Sequence, residues 1–154
     1  QKSADFLVAH RDPDTLLPIP SFDLWEERYG VHAFTVAAVI AGLRAAANFA
    51  RLFQDASLAG RYDEAAERMK EGVARHLYHE GLGRYARSGY RSGEGYELDE
   101  VIDVSLLGLV TLGVFSPRDP RMEATMEAVR RQLWLDTPVG GLARYQNDVY
   151  QLAD

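Results

Sequence analysis

The chain has 154 residues, enough for one domain with a real core, and its apolar and charged fractions of 47% and 26% are ordinary for a globular protein. The net charge of −6 argues against nucleic acid or an anionic membrane as a partner, because neither would be attracted. The sequence has no cysteine, which excludes disulfides and thiolate chemistry. The longest strongly apolar runs, Val36 to Leu43 and Val104 to Val110, are too short to span a bilayer.

The N-terminal part predicts short elements. Residues 3 to 10 could form a helical turn or two, and Pro18 and Pro20 hold the segment that follows extended. A turn-like stretch then ends at Gly30. From about Ala33 to Gln54 the pattern is helical. The first half of that helix has no polar face, so we expect it to be enclosed on all sides.

The second half of the chain repeats this alternation. About Ser57 to His79 predicts a helix with one apolar side, and Arg84 to Glu97 predicts a short irregular hairpin. Val101 to Leu112 is almost wholly apolar and predicts a second inner helix. Asp119 followed by Pro120 is a strong start signal for an outer helix that runs to about Trp134.

Enclosed and one-sided helices therefore alternate along the chain, with no tandem-repeat period of the lengths known for helical arrays. This alternation is typical of a two-layer toroid, in which one ring of helices lies inside another. The sequence thus predicts an all-α fold: a partial toroid with alternating inner and outer helices.

The first candidate site is the loop Pro20–Gly30, where Glu26 and Glu27 follow Trp25 directly. A carboxylic acid against an aromatic wall is partly desolvated, which favours the protonated form that a general acid needs. A tryptophan also offers a flat platform to a hexose. Equally, the carboxylates could be solvated loop charges that cap the next helix or neutralise Arg28, and the tryptophan could be plain core.

A second candidate loop, 137–150, is rich in groups that bind sugars, with Arg144, Tyr145 and Asp148 among them. Arg144 and Asp148 could instead simply pair with each other. His76 and His79 lack the spacing of a metal-binding helix motif, and a cation suits the end of their helix, so neither a metal nor a cofactor is indicated.

Three segments carry a resemblance to a known family. Asp23–Arg28 with Phe34-Thr35, Ser105–Leu109 with Gly113–Arg121, and Pro138–Tyr145 through Asp148 and Tyr150 stand in consistent order along nearly the whole chain. They resemble the bacterial branch of glycoside hydrolase family 15, the family of glucoamylases, glucodextranases and some trehalases.

This resemblance implies an (α/α)6 barrel and inverting, exo-acting hydrolysis of α-glucosidic bonds from the nonreducing end. It implies that Glu26 is the general acid, Glu27 a substrate contact and Trp25 a pocket wall. It further implies that Arg144 and Tyr145 bind sugar hydroxyls, while Asp148 binds or orients.

The resemblance also implies that part of the site is missing. An inverting glycosidase needs a second carboxylate as base, roughly 6.5–9.5 Å from the acid. In this family the base follows the sugar-binding arginine in a Trp-x-His-Ala-Glu-like segment, and no such segment follows Arg144 here. We therefore expect residues 1–154 to be a middle fragment of a catalytic domain, inactive alone and prone to self-association through apolar faces left uncovered.

Two other functions stay open on the sequence: a non-catalytic carbohydrate-binding or regulatory helical domain, and a purely structural helical module. The expected partner is an α-glucoside of unknown identity, either an oligo- or polysaccharide or trehalose. Localisation stays open as well, with the cytoplasm slightly favoured.

Overall fold

The structure is a computed structural model that describes residues 1–93 and 95–149. Its helices are α1 (Lys2–Ala9), α2 (Ala33–Leu52), α3 (Ala56–His76), α4 (Gly108–Thr111) and α5 (Pro120–Leu133). Its strands are β1 (Ser21–Phe22), β2 (Tyr29–His32), β3 (Tyr78–His79), β4 (Arg84–Tyr85), β5 (Ser88–Ser92) and β6 (Gly95–Leu98). Short 3₁₀ turns cover Glu80–Leu82 and Val104–Leu107.

Helices α2 and α3 form a helical hairpin that holds much of the core. The turn between them ends at Asp55, whose side chain accepts a hydrogen bond from the backbone N–H of Leu58 and so caps α3. Side chains of both helices are fully buried between them, including Val36, Ile40 and Leu43 of α2 and Ala66, Met69 and Val73 of α3. The apolar side predicted for the outer helix is therefore the side of α3 that packs against α2.

The prediction that the first half of α2 is enclosed on all sides is wrong for this chain. Ala38 and Gly42 are exposed, and Phe49 is 63% exposed further along the same side. Helix α2 is also long and apolar enough to cross a bilayer by length and mean hydropathy, 1.5, which the core helix of a globular domain can equally be. Here the described residues pack against one side of α2 and leave the opposite side to solvent.

A small antiparallel sheet in the order β1-β2-β5-β6 lies beside the helices. The predicted hairpin in residues 84–97 is confirmed as β5 and β6, which pair from Gly89 with Leu98 to Ser92 with Gly95. The pairing of β2 with β5, through Val31 with Gly89 and His32 with Ser88, is not local and no sequence pattern indicated it. It brings two distant segments of the chain together beside the first candidate loop.

The second inner helix is shorter than the sequence predicted. Residues 101–103 are extended, the 3₁₀ turn Val104–Leu107 follows, and α4 has only four residues. The side chain of Asp103 accepts a hydrogen bond from Ser105 N, 2.8 Å, which starts the turn at that point. Apolar composition predicted one long helix, but this capping aspartate breaks the run near its beginning.

Helix α5 begins and ends close to its predicted limits. Asp119 caps it through hydrogen bonds from Arg121 N and Met122 N, and Pro120 occupies the first turn. Beyond α5 the chain folds back, so that Ala143 N donates to Leu133 O at 2.9 Å. This return places the second candidate loop beside the first.

Candidate active site

The first candidate loop contains the turn of a β-hairpin, formed by residues 23–28 between β1 and β2. Its geometry depends on Asp23. The Asp23 N–H donates to Arg28 O at 2.9 Å, and its carboxylate accepts from the backbone N–H groups of Glu27, 2.8 Å, and Arg28, 3.3 Å. The Asp23 carboxylate thus accepts hydrogen bonds from backbone N–H groups that have no strand partner within the turn, and these bonds fix the conformation of the turn.

Glu26 stands at the tip of this turn in a left-handed backbone conformation, with φ of 59°. Its N–H donates to Asp23 O at 3.1 Å, while its side chain is exposed and borders an open cavity of about 310 Å³ beside Phe22. The expected partial desolvation of this acid is therefore not seen in the described residues. Among those residues, no hydrogen bond or ion pair reaches the Glu26 carboxylate.

The neighbouring Glu27 is held in a very different setting. Its carboxylate accepts a hydrogen bond from the Tyr145 hydroxyl at 2.6 Å and lies 3.2 Å from Arg28 and 3.6 Å from Arg144. Two cations and a phenol therefore hold the Glu27 carboxylate in place. The hydrogen bond to Glu27, followed by burial, raises the pKa of Tyr145, a residue that is only 6% exposed.

The two candidate loops meet face to face. The Arg144 guanidinium lies 5.1 Å from the Trp25 ring centroid and 5.2 Å from that of Tyr145, within cation–π range of both. The two rings are 6.4 Å apart and tilted by 52°. The structure thus brings together Trp25, Glu27, Arg144 and Tyr145, although Glu27 and Tyr145 are 118 positions apart in the chain.

Arg144 also makes a two-point contact with Asp148, at 2.7 Å for both pairs of atoms. This contact raises the pKa of the guanidinium and fixes the plane in which it faces the tryptophan. The pairing that the sequence left open is therefore present, and it orients Arg144 toward the shared surface. Tyr150, which belongs to the resembling segment, lies outside the described residues.

A buried ion pair lies beneath the two loops. Asp103, 1% exposed, accepts from the Trp25 indole N–H at 3.0 Å and from Arg87 at 3.3 Å. Arg87, 4% exposed, pairs with Asp99 at 2.8 Å as well, and its guanidinium lies 5.3 Å from the Tyr145 ring centroid.

Sequence reasoning missed Asp23 and Arg87. The signal for Asp23 was available, since an aspartate at the start of a short loop commonly accepts from backbone N–H groups a few residues on. Arg87 carried no comparable signal, because it sits in a glycine-, serine- and tyrosine-rich stretch without any period. His76 and His79 lie away from the two loops: His76 is against Tyr96, and His79 is 3.5 Å from Glu100.

Comparison with known proteins settles the family. A family model described as "Glycosyl hydrolases family 15" matches residues 17–153. The chain belongs to glycosyl hydrolase family 15. The resemblance carried by the three segments is therefore confirmed.

Two relatives and one solved structure extend this family 15 assignment. An uncharacterized glycosyl hydrolase of Methanocaldococcus jannaschii is 35% identical over 85% of the chain and 20% of its own length. A glucoamylase of a Clostridium species is 31% identical over 96% of the chain and 23% of its own length. The crystal structure of a bacterial glucoamylase complexed with acarbose matches with a TM-score of 0.76 and 30% identity, over 96% of this chain and 24% of that one.

The family 15 chain described here thus spans about a fifth to a quarter of the length of the relatives that it matches. The predicted fold class is confirmed: the helices form part of a glucoamylase-type (α/α)6 toroid, with a small sheet added at the site.

Proposed function

We propose that this chain forms the acid-bearing part of the active site of an inverting, exo-acting α-glucosidase of the glucoamylase type. In this proposal Glu26 is the general acid, and Trp25, Glu27, Arg144, Tyr145 and Asp148 form the wall that binds the glucosyl group. The observation that carries the proposal is the unequal setting of two adjacent carboxylates. Glu27 is engaged by Arg28, Arg144 and Tyr145, whereas Glu26 borders an open cavity.

This difference supports different roles for the two residues in the proposal. A carboxyl group that gives a proton to a glycosidic oxygen must be open to the leaving group and reach it within hydrogen-bond distance. Glu26 is exposed at a turn whose backbone is fixed by Asp23, so it meets the first requirement. Glu27, held by cations, suits a fixed acceptor for sugar hydroxyls.

The wall beside Glu26 has the composition of a sugar subsite. Trp25 and Tyr145 offer aromatic faces to the C–H groups of a hexose, and the Arg144 guanidinium offers donors at the same surface. The related bacterial glucoamylase was crystallised with acarbose, which supports an α-glucoside as the ligand.

The proposed reaction needs a second carboxylate to activate water on the opposite face of the sugar. The resemblance puts that base in a segment that follows the sugar-binding arginine, and the chain covers only part of the length of its relatives. We therefore expect the chain by itself to bind α-glucosides without useful turnover. Binding by the chain alone would equally suit the alternative, a carbohydrate-binding or regulatory domain, so turnover must be measured in the full-length protein that contains it.

The test is Glu26→Gln in that full-length protein, with Glu27→Gln as the matched control one position away. General acid catalysis contributes about 10²–10⁴-fold, so Glu26→Gln should lower kcat on a maltooligosaccharide by at least about 100-fold with little change in KM. α-Glucosyl fluoride should be affected much less, because fluoride leaves without protonation. Glu27→Gln should raise KM instead. A loss in kcat below about tenfold for Glu26→Gln contradicts the assignment.

A further inference from the structure

One short segment, residues 102–104, contacts both candidate loops. Its backbone carries the second loop: Val104 N donates to Arg144 O at 2.8 Å, and Gln146 N donates to Ile102 O at 3.0 Å. Asp103 and Tyr145 are thereby paired as in an antiparallel bridge. A displacement of this segment must move Arg144 and Tyr145 with it.

The side chain of Asp103 carries the first loop. One carboxylate oxygen accepts the Trp25 indole N–H at 3.0 Å and faces Arg87 at 3.3 Å, while the other accepts from Ser105 N at 2.8 Å. At 1% exposure this carboxylate has little access to solvent, so its charge is compensated by these partners. The hydrogen bond to Asp103 therefore favours one orientation of the Trp25 indole.

We propose that Asp103, supported by Arg87, is the positioning residue of this active site, holding the Trp25 indole in register with Arg144 and Tyr145. The inference rests on the proposed function for the claim that this surface binds a sugar. The contact between Asp103 and Trp25 does not depend on that function. Asp103 acts through Trp25 and touches no substrate. Without its carboxylate the indole can turn about its side-chain bonds, and the aromatic wall loses its fixed angle to Arg144.

Arg87 stabilises the same geometry from below. It pairs with Asp103 and Asp99, and its guanidinium lies 5.3 Å from the Tyr145 ring centroid. A buried carboxylate with one cationic partner and an indole donor is costly to leave half-satisfied. If Asp103 has this positioning role, its loss should change the orientation of the Trp25 indole as well as lower the stability of the fold.

The test uses the indole N–H resonances of the chain, since it has two tryptophans and Trp134 is 59% exposed. Trp134→Phe assigns the two signals. In the wild-type chain the Trp25 indole proton should exchange with solvent more slowly than that of Trp134. Asp103→Ala should shift the Trp25 resonance upfield and speed its exchange by about tenfold or more, the loss expected for a hydrogen bond to a charged acceptor.

The matched control is Asp119→Ala, which removes a helix-capping aspartate of the same kind at the start of α5. If Asp103 only capped its turn, the two variants would act alike, and Trp25 would be unchanged in both. An unchanged Trp25 resonance in folded Asp103→Ala overturns the inference. If that variant does not fold, the wild-type measurement decides, because a Trp25 indole that exchanges as fast as Trp134 overturns the inference equally.

Titration with acarbose separates this inference from the proposed function. Asp103→Ala should weaken acarbose binding by about tenfold, because the Trp25 indole loses its hydrogen bond to a charged acceptor and is no longer held in place. Asp119→Ala should leave acarbose binding unchanged. A wild-type chain that does not bind acarbose counts against the glucoside subsite. The Trp25 signals then still decide whether Asp103 positions the indole.

Discussion

Removing the Tyr145 hydroxyl should disconnect the two loops at their shortest contact. In Tyr145→Phe the ring keeps its place beside Trp25, while the 2.6 Å hydrogen bond to the Glu27 carboxylate is lost. Hydrogen bonds to charged groups contribute about 1.5–3 kcal/mol. The Glu27 side chain is 31% exposed, so water replaces part of the bond, and we expect a loss of about 1–1.5 kcal/mol in the free energy of unfolding.

A double-mutant cycle isolates this contact. Urea unfolding is measured for the wild type, Tyr145→Phe, Glu27→Ala and the double variant, which cancels the separate loss of contacts from Glu27 to Arg28 and Arg144. The coupling energy should be about 1 kcal/mol, and a value below about 0.3 kcal/mol would refute the reasoning. Tyr90→Phe is the matched control, because Tyr90 is 41% exposed and its hydroxyl bonds to no described residue.

The same contact has a pH signature. The hydrogen bond to Glu27 raises the pKa of Tyr145 in the folded state above the ordinary value of 10.0. A raised pKa stabilises the protonated folded form, so this contribution is fully present below about pH 10 and is lost as the pH rises through the folded value. Tyr145→Phe should remove that part of the alkaline loss of stability.

Three further predictions concern other features. Glu26→Gly should raise the free energy of unfolding by about 1 kcal/mol, because glycine adopts the φ of 59° without strain, and an unchanged urea midpoint would contradict this. Burial lowers the pKa of His32 below 6.5, so its stabilising contribution is present above that pH and is lost as the pH falls through the folded value. His32→Gln, whose amide can still donate to Ser21 O, should unfold with a weaker dependence on pH below about 6.5, and an equal dependence in both proteins would speak against it. Leu52 and Phe53, 76% and 81% exposed, should drive self-association that Phe53→Lys reduces, and a monomeric wild type in light scattering at high concentration would show this to be wrong.

The long helices could be predicted from the sequence because their signals are local. Apolar positions repeat along α3, and Asp119 with Pro120 marks the start of α5, so these limits came within about three residues, the usual uncertainty of such boundaries. The length of the inner helix after Val101 was overestimated, because apolar composition does not show that a carboxylate within the apolar segment accepts a backbone hydrogen bond and delays the start of the helix. Asp103 took that role and ended the extended segment.

The candidate site shows a different limit. The residues that line it could be named from family motifs, since Trp25, Glu26 and Arg144 stand in recognisable segments. The contacts that hold these residues together could not be predicted from the sequence. The pairing of β2 with β5 and the buried Arg87–Asp103 contact join positions far apart in the chain. A lone arginine reads as a surface residue in any local pattern, and only the tertiary fold shows that it is buried.

The junction between β2 and α2 has no linker: His32 ends the strand and Ala33 begins the helix. The hairpin of β1 and β2, which carries Glu26, and helix α2 therefore move as one rigid unit, and the site has no hinge at this point. One residue inserted there would rotate the hairpin by about 100° about the helix axis, given 3.6 residues per turn. Residues can be added in the turn at 53–55 without moving Glu26. At the junction of β2 and α2, by contrast, the orientation of Glu26 cannot change without a change in the packing of α2.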